Sequence, residues 1–208
     1  MSRLAKCLCA VVVCVASLSC GSTKMVGVWG DPDFQGTPGP KILVIGLGEN
    51  EPRVKLFEAA MAGEINKKKA TAIPGSSIFA VGAPIDTTGG RRYVTENKID
   101  LISVTRVVGI SKELEFTPPT TYYTPVAAYH GFYPYYYTAY AAVSTPGYLR
   151  EYKVFTVETN VYSTKTEQLV WSGSSQTVDP ASLNQAMGDV AFTLVNAMSR
   201  SGLFGTKK

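Results

Sequence analysis

The chain is poor in the side chains that most often carry enzyme chemistry. It has one histidine, His130, and its four cysteines (Cys7, Cys9, Cys14 and Cys20) all lie in the first twenty residues. Zinc needs three or four His, Cys or carboxylate ligands at set spacings, and neither HExxH nor CxxC occurs. A Ser-His-Asp set would have to use His130, which stands in a compositionally biased stretch. There is no GxSxG elbow and no GxxxxGK[ST] phosphate loop. Charge is scarce: Asp, Glu, Lys and Arg make up 17% of the chain, against about 25% in an ordinary domain. The net charge of +4 is too small for a nucleic-acid footprint. No stretch reaches the roughly 18 consecutive apolar residues of a spanning helix. What is present, 45% hydrophobic and 11% aromatic residues over 208 positions, excludes global disorder and predicts one domain with appendages.

The first residues, MSRLAKCLCAVVVCVASLSC, have the layout of a secretory signal peptide. Arg3 and Lys6 form the positive region, Leu8 to Leu18 the apolar region, and Ser17 and Ser19 the small residues before the cut. Cleavage before Cys20 would leave one cysteine, at the first position, with no disulfide partner. Ser17-Leu18-Ser19-Cys20 resembles a bacterial lipobox, with Ser17 in place of the usual Leu. That resemblance implies an acylated Cys20, palmitate included, and a domain held to a membrane without spanning it. Gly21 after the cysteine, where Asp is absent, points by the same analogy to the outer membrane facing the periplasm. The expected organisation is a signal peptide over 1–19, lipidated Cys20 with a flexible tether over 20–40, and a single α/β domain over 41–204. Trp29 and Phe34 are the tether residues expected to dock on the domain.

Within the domain, Lys41–Leu47 (KILVIGL) reads as a strand buried on both faces. Asn50 caps a helix with Pro52 in its first turn, and Val54, Phe57, Met61 and Ile65 form its apolar stripe. A weak strand near Ala70–Ile73 and a short helix over Arg91–Lys98 follow, then a strand over Asp100–Val108 that Ser111–Phe116 extends or pairs with. Glu151–Tyr162 and Leu169–Thr177 read as a hairpin. Asp179 and Pro180 are expected to start a last helix whose stripe runs from Leu183 to Met198, with Gly202 as its stop. Two long amphipathic helices must bury their stripes on a sheet, so the fold class is α/β: a βαβ start and a mixed sheet with a C-terminal hairpin.

The element order resembles a group of bacterial envelope lipoproteins that includes the curli-secretion-type and penicillin-binding-protein-activator-type lipoproteins. The likeness is carried by the lipobox, by KILVIGL before the first helix, and by Thr159-Asn160-Val161-Tyr162 turning to Leu169-Val170-Trp171-Ser172. Ser163 and Glu167 stand where relatives often have Asp and Gly. The resemblance implies architecture more than activity.

Candidate chemistry is thin. Gly46-Leu47-Gly48 after a strand is two-thirds of a dinucleotide fingerprint, but Glu51 fills the third Gly slot, and Glu49 and Glu51 would repel a phosphate. Glu113 and Glu115 share a strand face, and Glu151 and Glu158 are the other carboxylates that glycan cleavage would need. A solvated strand face explains them more simply. The expectation is a non-enzyme with no catalytic set, no cofactor and no metal.

The insertion over 117–150 is the most unusual segment. From Phe116 to Leu149 there is no charged residue, and nine of the twelve tyrosines lie there. Tyrosine suits contact surfaces, so Tyr133, Tyr135, Tyr136 and Tyr137 are the partner-binding candidates. The expected partners are the membrane, through the lipid, and an envelope protein, a cell-wall glycan or a sister subunit in a homo-oligomer. No nucleic acid is expected. Three readings of the insertion stand side by side: a biased loop without a role, an adhesive surface, and a membrane-inserting hairpin that would need an oligomeric barrel. The functional expectation is a periplasmic binding or scaffold lipoprotein. Its alternative is an oligomeric outer-membrane pore or secretion component.

Overall fold

The computed structural model describes residues 23–83, 87–123 and 142–205. The signal-peptide region, Cys20, His130 and the four candidate tyrosines lie outside the described residues. The chain order is β1 (Thr23–Gly30), β2 (Lys41–Leu47), α1 (Glu51–Asn66), β3 (Thr71–Pro74), a 3-10 turn at Gly75–Ser77 and α2 (Thr87–Glu96). β4 (Leu101–Thr117), β5 (Thr120–Tyr123), β6 (Ala142–Thr145), β7 (Tyr148–Ser163), β8 (Leu169–Val178) and α3 (Leu183–Arg200) follow. Six strands form one mixed sheet in the order β1-β8-β7-β4-β2-β3, and β5 and β6 pair separately. β2 runs parallel to β3 and β4, whereas β4, β7, β8 and β1 are successively antiparallel. This is the expected α/β class, with the βαβ start and the C-terminal hairpin in place.

β2 is the hinge of the layout. Its apolar run buries Ile42, Leu43 and Val44 together, as a central parallel strand must. Ile42 and Val44 join the main core, while Leu43, equally buried, lies outside that cluster and faces the other way. The chain passes from β2 through α1 to β3 and from β3 through α2 to β4, so β2 ends up between its two parallel neighbours.

The main core lies between the sheet and the pair α1 and α3. Met61 and Ile65 of α1 meet Leu194 and Met198 of α3 over Val161 and Trp171. Trp171 is fully buried and donates its indole N–H to Ser201 Oγ at 3.0 Å. α1 begins where the sequence puts it: Asn50 Oδ1 accepts from the Arg53 N–H at 3.1 Å. α3 ends in a Schellman turn, with Gly202 at φ 81°, Gly202 N–H donating to Ser199 O and Leu203 N–H to Met198 O.

Two expectations are corrected. Residues 21–40 are not simply a flexible tether. Thr23–Gly30 is an edge strand registered against β8 from Thr23–Thr177 to Gly30–Trp171, and the segment after it is pinned as well. Asp31 N–H donates to Val170 O, Thr37 N–H donates to Leu203 O, and Phe34 packs on the core. Gly27 and Gly30 give this strand a loop-like composition, yet an edge needs only one hydrogen-bonded side. Trp29 does not dock; it is 48% exposed. The second correction is the start of α3. Asp179 does not cap it, because its N–H is tied to Lys153 O and its φ is +40°. The cap is Ser182, whose Oγ accepts from the Gln185 N–H at 3.2 Å, in a Ser-x-x-Gln pattern typical of capping boxes.

Candidate functional site: an apolar groove and a projecting ribbon

α1 and α3 touch along their C-terminal halves and leave a gap between their N-terminal halves. The sequence sets this difference. Met61, Ile65, Leu194 and Met198 are essentially without exposure, but Phe57, Ala186 and Met187 are only half-buried, and Leu183 is 45% exposed. The gap is a groove of about 520 Å³. Val54 and Phe57 form one wall, Leu183, Met187 and Val190 the other, and Val107, Ile110, Phe155 and Val157 the floor. Its size falls within the ~300–1,000 Å³ of ligand-binding clefts. The charged residues bordering it, Glu49, Arg53 and Arg106, are all exposed, so the interior is apolar. Thr177, at the β1 side, bonds through its hydroxyl to Thr23 Oγ1 at 2.8 Å.

The floor continues outward as a two-stranded ribbon. β4 leaves β2 after Arg106, and β7 meets β8 only from Val154 onward. From Lys112–Lys153 out to Thr117–Tyr148 the two strands pair only with each other, over about 17 Å at ~3.4 Å per residue. A bulge at Val108 resets the alternation. Beyond it, Ile110, Leu114 and Phe116 share a face with Phe155 and Leu149 across the ladder. Ile110, Leu114, Phe116 and Leu149 are each more than 60% exposed. Exposed apolar area of this extent on one ribbon is a contact surface in waiting.

The ribbon also holds the candidate carboxylates, and it separates them. Glu113 accepts from the Tyr152 hydroxyl at 3.1 Å on one face, while Glu151 pairs with Lys112 at 2.8 Å on the other. The hydrogen bond to Glu113, with some desolvation and the nearby charges of Glu113 and Glu115, raises the Tyr152 phenol above its usual value. The hydrogen bond and charge of Glu151 likewise raise the Lys112 ammonium. Glu158 sits further down β7 with Arg106 and Asn160. Glu151 and Glu158 pair with cations and Glu113 with a phenol, all on open strand faces, and Glu113 and Glu115 lie side by side near Tyr152 without a cleft around them.

A second cavity, about 640 Å³, opens beyond the carboxyl ends of β2 and β3. Ligands often bind α/β sheets there, but a buried carboxylate already uses the donors. Glu58 accepts from the Gly46 N–H at 2.8 Å and from the Ser76 N–H at 2.7 Å. The Gly46-Leu47-Gly48 turn therefore lacks the free amide an anion would need at Gly46. Sequence reasoning missed Glu58, although its position in the 54-58-61-65 stripe marks it as inward-facing. Among the described residues no group of three His, Cys, Asp or Glu could hold a metal, and no helix is long and apolar enough to cross a membrane.

The fold and groove thus define a mixed α/β layer structure with one half-open helical face. No protein-family model matches the chain, and no curated protein matches it by sequence. Solved structures similar to it include a PelC dodecamer from Paraburkholderia phytofirmans, with a TM-score of 0.45, 10% identity, and 85% of this chain and 96% of that one covered. Lipoprotein GNA1162 from Neisseria meningitidis is similar with a TM-score of 0.42, 12% identity, and 77% and 99% coverage. At these values the likeness is one of general fold alone.

Proposed function

We propose that this is a lipid-anchored, non-enzymatic binding protein of the bacterial cell envelope, seated on the periplasmic face of the outer membrane. The observation that carries the reading is where the first described strand begins. Thr23 is already paired to Thr177, three residues after Cys20. Three residues span at most about 11 Å, so an acylated Cys20 would hold the body of the protein against the bilayer. The groove mouth and the root of the ribbon lie at the same end of the sheet as Thr23, since Thr177, Val107 and Phe155 all border the groove. Anchor, apolar groove and ribbon therefore face one surface. The ribbon, capped by the uncharged tyrosine-rich stretch with Tyr133, Tyr135, Tyr136 and Tyr137, is the partner-binding element in this reading.

A second reading, an oligomeric pore or secretion component, draws on the ribbon's edges. Beyond Arg106 and before Val154 each strand has one unpaired side, which invites strand pairing with a sister subunit. Lys112, Glu113, Glu115, Glu151 and Lys153 on the described ribbon oppose its burial in lipid, so this favours subunit contact over insertion.

The test of the leading reading is the intact mass of the mature protein from its native membrane. A mass carrying acyl groups on Cys20, and loss of membrane association in Cys20→Ala, is expected. An unmodified thiol on a membrane-free protein overturns it.

A further inference from the structure

We infer that the groove between the N-terminal halves of α1 and α3 is a seat for a fatty-acyl chain, and that its occupant is a chain of the lipid on this protein's own Cys20. The inference rests on the lipoprotein reading and adds a ligand to it.

Three observations converge. The groove is apolar inside and charged only at its exposed border, the pattern that receives an alkyl chain and leaves a polar head outside. It is unfilled by the protein itself: Leu183, Val107 and Ile110 are 45–63% exposed, although their neighbours Val157 and Val190 are buried. And the N-terminus enters at its wall. The Thr23–Thr177 hydroxyl pair, 2.8 Å long, fixes the first residue of β1 beside a groove-lining residue. Cys20 lies within about 11 Å of that point along the chain, and an acyl chain extends the reach further. A ligand tethered so close is present at high effective concentration, so it outcompetes free lipid and a neighbouring copy without unusual intrinsic affinity.

Seating one chain has a consequence for anchoring. One acyl chain binds membranes marginally and reversibly, whereas two hold stably. An occupied groove weakens membrane residence, and an empty or plugged groove strengthens it.

The experiment feeds cells palmitate bearing a terminal diazirine, reconstitutes the acylated full-length mature protein in vesicles, irradiates it and maps cross-links by peptide mass spectrometry. Mixing isotope-labelled and unlabelled protein distinguishes a chain's own lipid from a neighbour's. Cross-links within one copy to Leu183–Val190 and to Phe155 are expected. Ala186→Trp, which fills the groove, should lose them and bind vesicles severalfold more tightly with Cys20 still acylated. Leu183→Glu, a substitution at an exposed position that also suits a helix N-terminus, should lose the cross-links too and keeps the test standing if the tryptophan variant fails to fold. Cross-links confined to vesicle lipid, or running only between copies, or surviving in a folded groove variant, overturn the inference while leaving the lipoprotein reading intact. An unacylated Cys20 overturns both.

Discussion

Trp171 owes its place to a residue that contributes no side chain. Gly173 follows it on the same face of β8, and a Cβ there would sit 2.2 Å from the indole ring. The ring fills the floor beneath α3 and is held by Ser201. Gly173→Ala must therefore shift the largest buried side chain. Overpacking of this kind costs about 1–3 kcal/mol. Urea unfolding followed by Trp171 fluorescence, in a Trp29→Phe background, should show a lower midpoint with unchanged slope; an unmoved midpoint would mean the strand relaxes freely. Residues of this kind are only partly legible in a sequence. Asn50, Gly202 and the 54-61-65 stripe announce themselves, because caps and periodicity are local. Glu58 does not, since its partners, the Gly46 and Ser76 amides, come from two other segments. The 54-58-61-65 spacing puts it on the inner face, but what it bonds there is not visible until the register of β2 and the turn after β3 is known.

At the scale of elements, strong apolar runs and long stripes locate β2, α1, the β7–β8 hairpin and α3. β1 escapes sequence patterning, and the outer ribbon shows in it only in part, for one reason: edge strands and ribbons draw stability from backbone pairing more than from burial. β1 has little apolar burial and two glycines, one internal and one at its end, so its pairing to β8 leaves no period-2 signature. The ribbon is similar. Strand β4 continues to Thr117 and β7 starts at Tyr148, so only the part between them departs from the long hairpin. Pro118-Pro119 and Pro146-Gly147 mark the break, and a Cβ on Gly147 would press on Pro119 and the Thr117 carbonyl. The ribbon's exposed leucines and Phe116 add nothing to the core. Replacing 118–147 by Asn-Gly, a favoured two-residue hairpin turn, should leave the urea midpoint unchanged. The same variant should lose capture of its envelope partner and any assembly seen by light scattering of detergent-extracted protein. Retained capture by a folded variant would remove the tyrosine-rich stretch from the binding surface.

For the whole molecule, converting a twenty-residue tether into a three-residue link changes what the protein can do. A tether would let the domain search the periplasm; if Cys20 is acylated as proposed, the pairing of Thr23 to Thr177 would hold one end of the sheet toward the bilayer. Orientation is then a measurable property. Ala181, exposed just before the α3 cap, lies at the groove end, whereas Gln168, in the β7–β8 turn, lies at the far end of β8. The two are separated by about 30 Å along a strand of this length. With Cys20 acylated, Ala181→Cys or Gln168→Cys introduces the only free thiol of the mature chain, and each takes a single fluorophore. In vesicles with nitroxide-labelled headgroups, the label at 181 should be strongly quenched and the label at 168 hardly at all. Inserting twenty Gly/Ser residues after Cys20 allows a root-mean-square excursion of about 25 Å, and should relieve the quenching at 181 without changing it at 168. Equal quenching at both positions, or none relieved by the spacer, would show that the groove end does not face the membrane.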